Sequence, residues 1–375
     1  MNSIIFVYRS ETDSSKTTNF VYLESYSSLS VRNHAHFQRK DLKLGKWFYL
    51  RAPKMFMEKI YPKLTHKLGD FAEIKRGFTT GANDFFYMKD VSASYEADYL
   101  ANPKKFEVWG VSAKSEKELR GHGLIYIENE GGNRFVINQS DTKPLVRTTK
   151  ELKTYTIREM NKLCLYTKIP GEETQKYIKW GQEQSVKIRG KKDPVIGYNN
   201  VPSVSGRKNW YSLNDLEPAN MILPMYVMDR FFVPKSNEPV ICDHTLYTVK
   251  LKVKGIESYL NSTLFYTTME LYLRRLGGGV GEIMVDDYKQ MPVPDFQKIE
   301  LTTINGVFER SVKRYFEEIK MEDRRELDKF IITSLGIKDS QLDELYDEFV
   351  NLVNDRLIKA DRGLKSQENM NEQDN

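Results

Sequence analysis

The sequence predicts an α+β protein: a mixed, β-rich central region with inserted helices, followed by a small α-helical C-terminal region. Between residue 68 and about residue 295, short apolar runs alternate with turn residues at irregular intervals, which is typical of strands. Residues 301–360 instead keep apolar side chains at helical spacing. Hydrophobic residues make up 40% of the chain, which is enough for a substantial core.

The first sixty residues contain two strand-like runs and one short helix. Residues 4–8 and 19–23 are rich in β-branched and aromatic residues and are predicted to form a hairpin across a polar linker. Both runs are apolar on both faces, so they need a larger sheet to cover them. A polar stretch over 27–45 leads to a short helix at about 54–60, where Pro53 suits the first helical position.

The central region is predicted to open with a strand at 71–74, a loop, and a second strand at 85–88. One helix is predicted over 171–184. A longer helix over 255–276 ends in two arginines before a glycine run, which is the usual chemistry of a helix C-terminus. The further strands are predicted at 105–110, 123–128, 134–137, 162–167, 194–199, 221–228, 230–233 and 245–251.

The C-terminal region is predicted to form three helices, at about 304–319, 322–335 and 341–359, and a disordered tail over 363–375. Its charge differs from the rest of the chain. Residues 301–375 contain 12 Lys and Arg against 17 Asp and Glu, a net charge of −5. Because the whole chain has a net charge of +5, the first 300 residues carry a net charge of +10. A basic body beside an acidic tail favours a polyanion as the binding partner, although a slightly basic globule would look the same.

Two cysteines, Cys164 and Cys242, are too few for a disulfide framework or most structural zinc sites. A reducing setting is therefore expected. The longest apolar runs fall far short of a membrane span, and the N-terminus does not have the pattern of a signal sequence. We therefore expect a cytoplasmic protein with no membrane association.

The stretch Leu68–Met88 combines glycines with cations and hydrogen-bond donors between its two predicted strands. Glycine permits backbone conformations that other residues resist, the cations can bind phosphates or guanine edges, and the hydroxyl and amide groups can donate to oxygens. An ordinary surface hairpin with solvated charges is the alternative. The candidate binding residues here are Lys75, Arg76, Gly77, Thr79, Thr80 and Asn83.

Two further sets of residues are candidates for contacts with an anionic ligand. The first combines two cations with an aromatic ring, for which core packing of the ring is the alternative. The second places two arginines before the glycine run, where helix capping alone is the alternative. They are Arg207, Lys208 and Trp210, and Arg274, Arg275 and Gly278.

Catalytic signatures are scarce in this sequence. Neither a P-loop nor a strand followed by G-x-G-x-x-G is present. The five histidines have no metal-like spacing. Asp286, Asp287 and Lys289 form the one compact set that resembles a nuclease metal site, which leaves a metal-dependent nuclease as a minor alternative. We therefore assign no catalytic, cofactor-binding or metal-binding residue to this chain.

Several segments in order resemble one family. Leu68–Met88 resembles the opening of the target recognition domain of TaqI/Eco57I-like adenine-N6 DNA methyltransferases, which include combined type IIG restriction–modification enzymes. Gly206–Leu213 is similar to that domain's R-x-x-W-Y-x-L segment, and Cys242–Val249 to the strand that follows. The closing helix, the glycine turn and the exit segment of that domain are similar, respectively, to Leu260–Leu264, Arg275–Ile283 and Asp287–Pro294. The series covers residues 68–294 and is specific only as a set.

This resemblance implies a role in reading double-stranded DNA, and a division of the chain. Residues 1–66 would be the end of a methyltransferase catalytic domain with a linker, including its last two strands. Residues 67–296 would be the target recognition domain, 297–362 a helical C-terminal domain, and 363–375 the tail. The family's D-P-x-x-G-x-G and N-P-P-[YF] motifs are missing from this chain. S-adenosylmethionine and methyl transfer to adenine therefore belong to the complete enzyme, whose catalytic domain or subunit becomes an expected partner.

A stand-alone specificity subunit, similar to those of type I systems, is the alternative. It would bind a separate methylase through the helical C-terminal region. Such a subunit would not need strands from a catalytic domain at its N-terminus.

Overall fold

The computed structural model confirms the α+β class, with a large mixed sheet and a helical C-terminal region. The residues that the structure describes are 17–23, 31–38, 51–158, 160–188, 190, 192–213, 217–299, 301 and 306–373.

Two strands near the N-terminus, β1 (Thr17–Leu23) and β2 (Val31–Gln38), pair antiparallel. The predicted strand at 19–23 is therefore present, while its predicted partner at 4–8 lies outside the described residues. Instead, β1 pairs with β2, which lies within the polar stretch over 27–45. Within β2, Val31, Ala35 and Phe37 lie on one side of a period-two alternation that only Asn33 interrupts, a pattern typical of half-exposed strands.

Ten strands of the described chain form one sheet, and short pairs and a small three-stranded sheet flank it. The remaining strands are β3 (His66–Lys67), β4 (Ala72–Arg76), β5 (Tyr87–Asp90), β6 (Leu124–Asn129), β7 (Arg134–Asn138), β8 (Thr142–Val146), β9 (Thr156–Ile157), β10 (Lys162–Leu165), β11 (Ser185–Val186), β12 (Val195–Ile196), β13 (Ala219–Pro224), β14 (Tyr226–Val227), β15 (Lys235–Cys242), β16 (Leu246–Leu251), β17 (Arg274–Arg275), β18 (Gly281–Glu282) and β19 (Pro292–Val293).

The large sheet runs in the order β4-β16-β13-β15-β8-β10-β5-β6-β7, and β9 adds to β15. It is mixed because β15 pairs parallel to both β8 and β9, while the other pairs are antiparallel. A second sheet of three strands, in the order β14-β18-β17, is antiparallel throughout.

The helices are inserted between strands until residue 290 and then follow one another. They are α1 (Leu68–Phe71), α2 (Asn83–Phe86), α3 (Tyr95–Ala101), α4 (Pro103–Val108), α5 (Glu116–Gly121), α6 (Glu172–Glu183), α7 (Ile256–Leu260), α8 (Thr263–Tyr272), α9 (Val285–Gln290), α10 (Tyr315–Glu318), α11 (Glu322–Ser334) and α12 (Leu342–Gln373). Single-turn and irregular helices lie at Phe56–Ile60, Tyr61–Lys63, Ser92–Ser94, Gln139–Asp141, Thr149–Glu151, Tyr198–Asn200, Gly277–Gly279, Gly306–Glu309 and Asp339–Gln341.

The strand predicted at 105–110 is wrong, because Pro103 begins helix α4 there and Phe106 is its buried side chain. Residues 230–233 are largely buried but belong to no strand of the described sheets. The predicted strands at 123–128, 134–137, 162–167 and 245–251 are confirmed as β6, β7, β10 and β16, and the helix at 171–184 as α6.

The opening stretch Leu68–Met88 does not form a hairpin. Its first strand, β4, pairs with β16, whereas its second, β5, pairs with β6 and β10. Five strands of the sheet lie between them. Helix α2 occupies the start of the second predicted strand, so the chain enters β5 only at Tyr87.

The helix predicted over 255–276 is two helices, α7 and α8. They are separated at Asn261, whose side-chain amide bonds Val233 through both its oxygen and its nitrogen, each at 2.9 Å. Ser262 then caps α8 by accepting a hydrogen bond from the Phe265 N–H. Arg274 and Arg275 lie in β17, beyond the end of α8. The prediction that they complete the last helical turn is therefore wrong.

The C-terminal region is helical, but its first predicted helix is shorter than expected. Within 304–319 the described residues form a single turn at Gly306–Glu309 and the helix α10. Helix α11 agrees with the predicted 322–335. Helix α12 begins as predicted but extends to Gln373, where a disordered tail from 363 was expected.

The largest apolar cluster joins the C-terminal helices to the β4-β16-β13 end of the sheet. Asp328 of α11 connects α8 and α12 at the junction between the sheet and the C-terminal helices. Its carboxylate accepts hydrogen bonds from the Thr263 N–H at 2.7 Å, the Thr263 hydroxyl at 2.6 Å and the Tyr346 hydroxyl at 3.0 Å. A second cluster lies under the β8-β10-β5 half of the sheet, and a third between β6, β7 and α3–α5. Residues on both sides of the predicted boundary at 296 thus share one core.

Glu348 of α12 makes the stability of this junction pH-dependent. Its carboxylate accepts hydrogen bonds from the N–H groups of Met55, at 2.8 Å, and Phe56, at 3.2 Å, yet burial raises its pKa to about 7 from an ordinary 4.5. Because the folded-state pKa is the higher one, this group's stabilising contribution is complete below about pH 4.5 and is lost as the pH rises through 7. The change should be roughly 1–3 kcal/mol in the free energy of unfolding.

We expect Glu348→Gln to remove this dependence. Urea unfolding between pH 5 and pH 8 measures it, and Glu326→Gln, at an exposed position of α11, is the matched control. An identical pH profile for wild type and Glu348→Gln would contradict the assignment.

Candidate nucleic-acid interface

The loop after β4 begins by packing directly on the turn between β15 and β16. The Gly77 N–H donates to the Leu246 carbonyl at 2.9 Å, and the Phe78 N–H donates to the Cys242 carbonyl at 3.2 Å. A Cβ on Gly77 would overlap the carbonyl oxygens of Cys242 and Asp243 and lie 2.6 Å from the Asp243 carbonyl carbon. Only glycine fits here, and the reason is close backbone approach to protein, where sequence analysis had expected a ligand.

The tip of the same loop is stabilised by its own polar groups. The Thr80 hydroxyl is almost fully buried, donates to the Asn83 side chain and accepts from the Ala82 N–H at 3.1 Å. Gly81 has φ of +74°, and its carbonyl accepts from the Ser203 hydroxyl at 2.9 Å. Thr80 and Asn83 therefore shape the loop, and Thr79 is the exposed hydroxyl beside them.

Arg207 attaches this loop to the segment 201–213. Its Nη2 donates to the carbonyls of Thr79, at 3.2 Å, and Thr80, at 2.6 Å, while its guanidinium lies 5.5 Å from the ring centre of Phe86. In the described part of the chain it has no carboxylate partner, and its Nη1 is buried without a hydrogen bond. Burial lowers the pKa of the Arg207 guanidinium. Arg207 thus positions the loop, and the neighbouring Lys208 carries the exposed charge.

Trp210 lies in the core. Its side chain is 9% exposed and packs on Phe85, with ring centres 4.7 Å apart. The structure therefore agrees with the packing alternative for this residue, and the ring is not open to a stacking base.

Lys75 and Arg76 end β4 in different surroundings. The Lys75 ammonium pairs with Glu73 at 2.8 Å, which raises the pKa of the lysine and lowers that of the glutamate. The Arg76 side chain extends across to the next turn, where Nε donates to the His244 carbonyl at 2.9 Å. Of the two predicted cations, Arg76 is thus the one without an ion pair among the described residues.

The turn Asp243–Thr245, which sequence analysis did not select, is the centre of the site. Asp243 is buried and accepts from the Tyr87 hydroxyl at 2.6 Å and from the Thr245 N–H at 3.2 Å. Burial, followed by the hydrogen bond to Asp243, raises the pKa of Tyr87 above its ordinary range. His244 stays accessible, with its Nδ1 2.8 Å from the Asp243 carboxylate. A buried acid in a tight turn between two apolar strands was the signal available in the sequence.

The third predicted set lies on the small sheet. Arg274 of β17 is exposed, with Nε 3.9 Å from the Asp287 carboxylate. Arg275 donates through Nη2 to the Leu352 carbonyl of α12 at 3.4 Å. Gly278 has φ of +68° in the open turn that follows. One cation of this set therefore faces solvent and the other contacts the C-terminal helix.

A chain of backbone hydrogen bonds connects the small sheet to the central turn. The Met225 N–H donates to the Thr245 carbonyl at 3.0 Å, and the Ile283 N–H donates to the Met225 carbonyl at 2.9 Å. Backbone contacts thus link each predicted set to the Asp243–Thr245 turn: Arg76 directly, Arg207 through the loop at Thr79 and Thr80, and the small sheet through Met225. We call the exposed cations of these segments, Arg76, Lys208 and Arg274, together with His244, the basic band.

Of the residues considered for a nuclease, Asp287 has a structural role. Asp287 caps helix α9 by accepting from the Met284 N–H at 3.1 Å, while Asp286 is exposed. Among the side chains that the structure describes, no three His, Cys, Asp or Glu residues are grouped as a metal site requires. Cys164 and Cys242 are both buried, and burial raises the pKa of each thiol. Within the described residues, no helix has the length and apolarity needed to cross a membrane.

No protein-family model and no curated protein matches this chain. A solved structure, that of the type IIG restriction endonuclease BpuSI, is similar to it with a TM-score of 0.51 and 13% sequence identity. The match covers 88% of this chain and 36% of the endonuclease chain, so this protein corresponds to about a third of that enzyme's length. At this identity the likeness shows a related fold.

Proposed function

We propose that this chain recognises double-stranded DNA as the specificity part of a restriction–modification enzyme. The observation that carries the proposal is the basic band: three segments far apart in the sequence are linked by backbone contacts to one turn, and each presents an exposed cation. Arg76 and Lys208 have no ion pair among the described residues, while Arg274 lies 3.9 Å from Asp287. Cations on phosphates and donors at base edges are what duplex recognition requires. The fold likeness to a restriction endonuclease supports the same assignment.

The complete enzyme would be an adenine-N6 methyltransferase, in which a catalytic domain or subunit binds S-adenosylmethionine and transfers its methyl group. This chain would orient the duplex and would not itself take part in that chemistry. Its polar loop and rigid central turn suit such a role, because Asp243 fixes the turn from beneath while His244 stays accessible to a base edge or a phosphate.

Fluorescence polarisation with a pool of random-sequence duplexes tests DNA binding directly. The logarithm of the affinity should fall linearly with the logarithm of the salt concentration, since bound phosphates release counterions. Repeated selection from the pool should then enrich one short sequence. The absence of any duplex binding at low ionic strength would contradict the proposal.

Arg76→Ala should weaken duplex binding by about 1–3 kcal/mol and, if the side chain contacts a phosphate, reduce the salt slope by about one. Arg325→Ala is the matched control, because Arg325 is an exposed arginine on α11 paired with Asp343. Equal affinities for wild type and Arg76→Ala, with the fold intact by circular dichroism, would remove Arg76 from the interface.

A further inference from the structure

One face of the small sheet exposes apolar side chains in register. Cross-strand pairing places Tyr226 opposite Glu282 and Glu282 opposite Arg274. One step beyond, the Leu276 N–H donates to the Val280 carbonyl at 2.8 Å, and Met228 comes directly after the outer strand, β14. Directly opposed residues, and those two positions away, share a face. We define the Tyr226 face as Tyr226, Met228, Arg274, Leu276 and Glu282.

The exposure of this face is unusual for the molecule. Among the described residues, seven large apolar side chains are strongly exposed, and three of them lie here: Tyr226 at 45%, Met228 at 47% and Leu276 at 45%. Scattered exposed apolar residues are ordinary, whereas a cluster that strand register holds together indicates a contact surface.

The face is held rigid from behind by a buried arginine of α12. Arg356 is 2% exposed, pairs with the fully buried Glu270 at 2.7 Å, and donates to the carbonyls of Gly279 and Met228, the latter at 2.6 Å. The opposite side of the sheet packs inward, where Val227 is buried and a Cβ on Gly281 would lie 2.7 Å from Leu273. A buried ion pair therefore fixes the backbone that presents two of the exposed apolar residues.

The face is continuous with the basic band, because Met225 precedes Tyr226 and bonds directly to the turn at Thr245. The hydroxyl of Tyr247 on β16 gives a second link, because it donates to the Ile283 carbonyl at the end of β18 at 2.9 Å. A duplex lying on the basic band would thus extend over the Tyr226 face.

We propose that the Tyr226 face contacts the bases of the duplex and not its phosphates; the inference rests on the proposed function. Methionine and leucine have nothing to gain from a phosphate, the aromatic ring of Tyr226 offers an apolar surface, and Glu282, between Tyr226 and Arg274, repels a phosphate. The apolar surfaces of DNA are the thymine methyl groups in the major groove and the stacked faces of the bases. Glu282 can accept from a cytosine amino group and Arg274 can donate to guanine, so the polar members of the face also match base edges.

The double variant Met228→Ala/Leu276→Ala tests this proposal, with Leu100→Ala/Val108→Ala as the control that removes two exposed apolar side chains elsewhere. We expect affinity for the selected duplex to fall about tenfold with an unchanged salt slope, since apolar contacts release no counterions. The control should bind as wild type does.

Two modified duplexes distinguish contact with thymine methyl groups from contact with the stacked faces of the bases. Replacing thymine by uracil should weaken wild-type binding, but not that of the double variant, if the face reads methyl groups. If the face inserts between base pairs, 2-aminopurine placed in the site should brighten with wild type only. A double variant that folds, binds as tightly as wild type and gives the same response with both probes would overturn the inference and leave the face to a protein partner. Wild type that binds no duplex would instead overturn the proposed function itself.

Discussion

Arg356→Met is expected to lower the free energy of unfolding by about 3–5 kcal/mol, which is the typical cost of leaving one member of a buried ion pair without its partner. The Glu270 carboxylate would then be buried with no guanidinium, and the carbonyls of Gly279 and Met228 would each lose a donor. Chemical denaturation monitored by circular dichroism measures the change.

The double variant Arg356→Met/Glu270→Gln should recover a large part of the lost stability, because it removes the uncompensated charge. It should not restore the geometry of the glycine turn, so its duplex affinity should stay low if the Tyr226 face binds DNA. A single Arg356→Met variant with wild-type stability would show that this pair contributes little to the fold.

Gly77→Ala is expected to damage both stability and binding. The added methyl group meets backbone atoms of Cys242 and Asp243, which cannot rotate away as a side chain can, so β4 or the central turn must shift. Overpacking of this kind costs about 1–3 kcal/mol, and occasionally more. A shift here also separates Arg76 from the His244 carbonyl, so duplex affinity should fall with it.

Gly206→Ala is the matched control for that substitution, because it lies beside Arg207 at the same surface but a Cβ there meets open space. Thermal unfolding and fluorescence polarisation on the two variants separate a steric effect from a general loss of glycine. Wild-type behaviour of Gly77→Ala would contradict the close packing.

Patterns within a short stretch of sequence predicted those strands and helices that depend only on the residues of that stretch. The central strands β6, β7, β10 and β16 and the helices α6 and α11 follow from apolar spacing and turn residues that each segment carries by itself. Pairing partners could not be predicted in this way, since β4 pairs with a strand 170 residues later in the chain. The alternative of a surface hairpin at Leu68–Met88 is wrong for that reason.

The surroundings of the predicted site residues could not be read from residue type, for a similar reason. Residue type identified cations near glycines, but it could not tell an exposed cation from one that bonds to backbone carbonyls, as Arg207 does, or from one paired to a neighbour, as Lys75 is. Burial also decides the role of Trp210. The turn at Asp243 was missed because its importance lies in contacts with Tyr87 and Arg76, which are distant in sequence.

The separation of β4 from β5 by five strands has a consequence for how the protein reaches this structure. The surface around Asp243–Thr245 exists only after residues near 76, 207, 244 and 274 have been brought together, so its contacts are long-range. Contacts of this kind form slowly, because long loops must close first. We therefore expect this surface to be among the last parts to form during refolding. A short peptide copied from the opening stretch would not reproduce it.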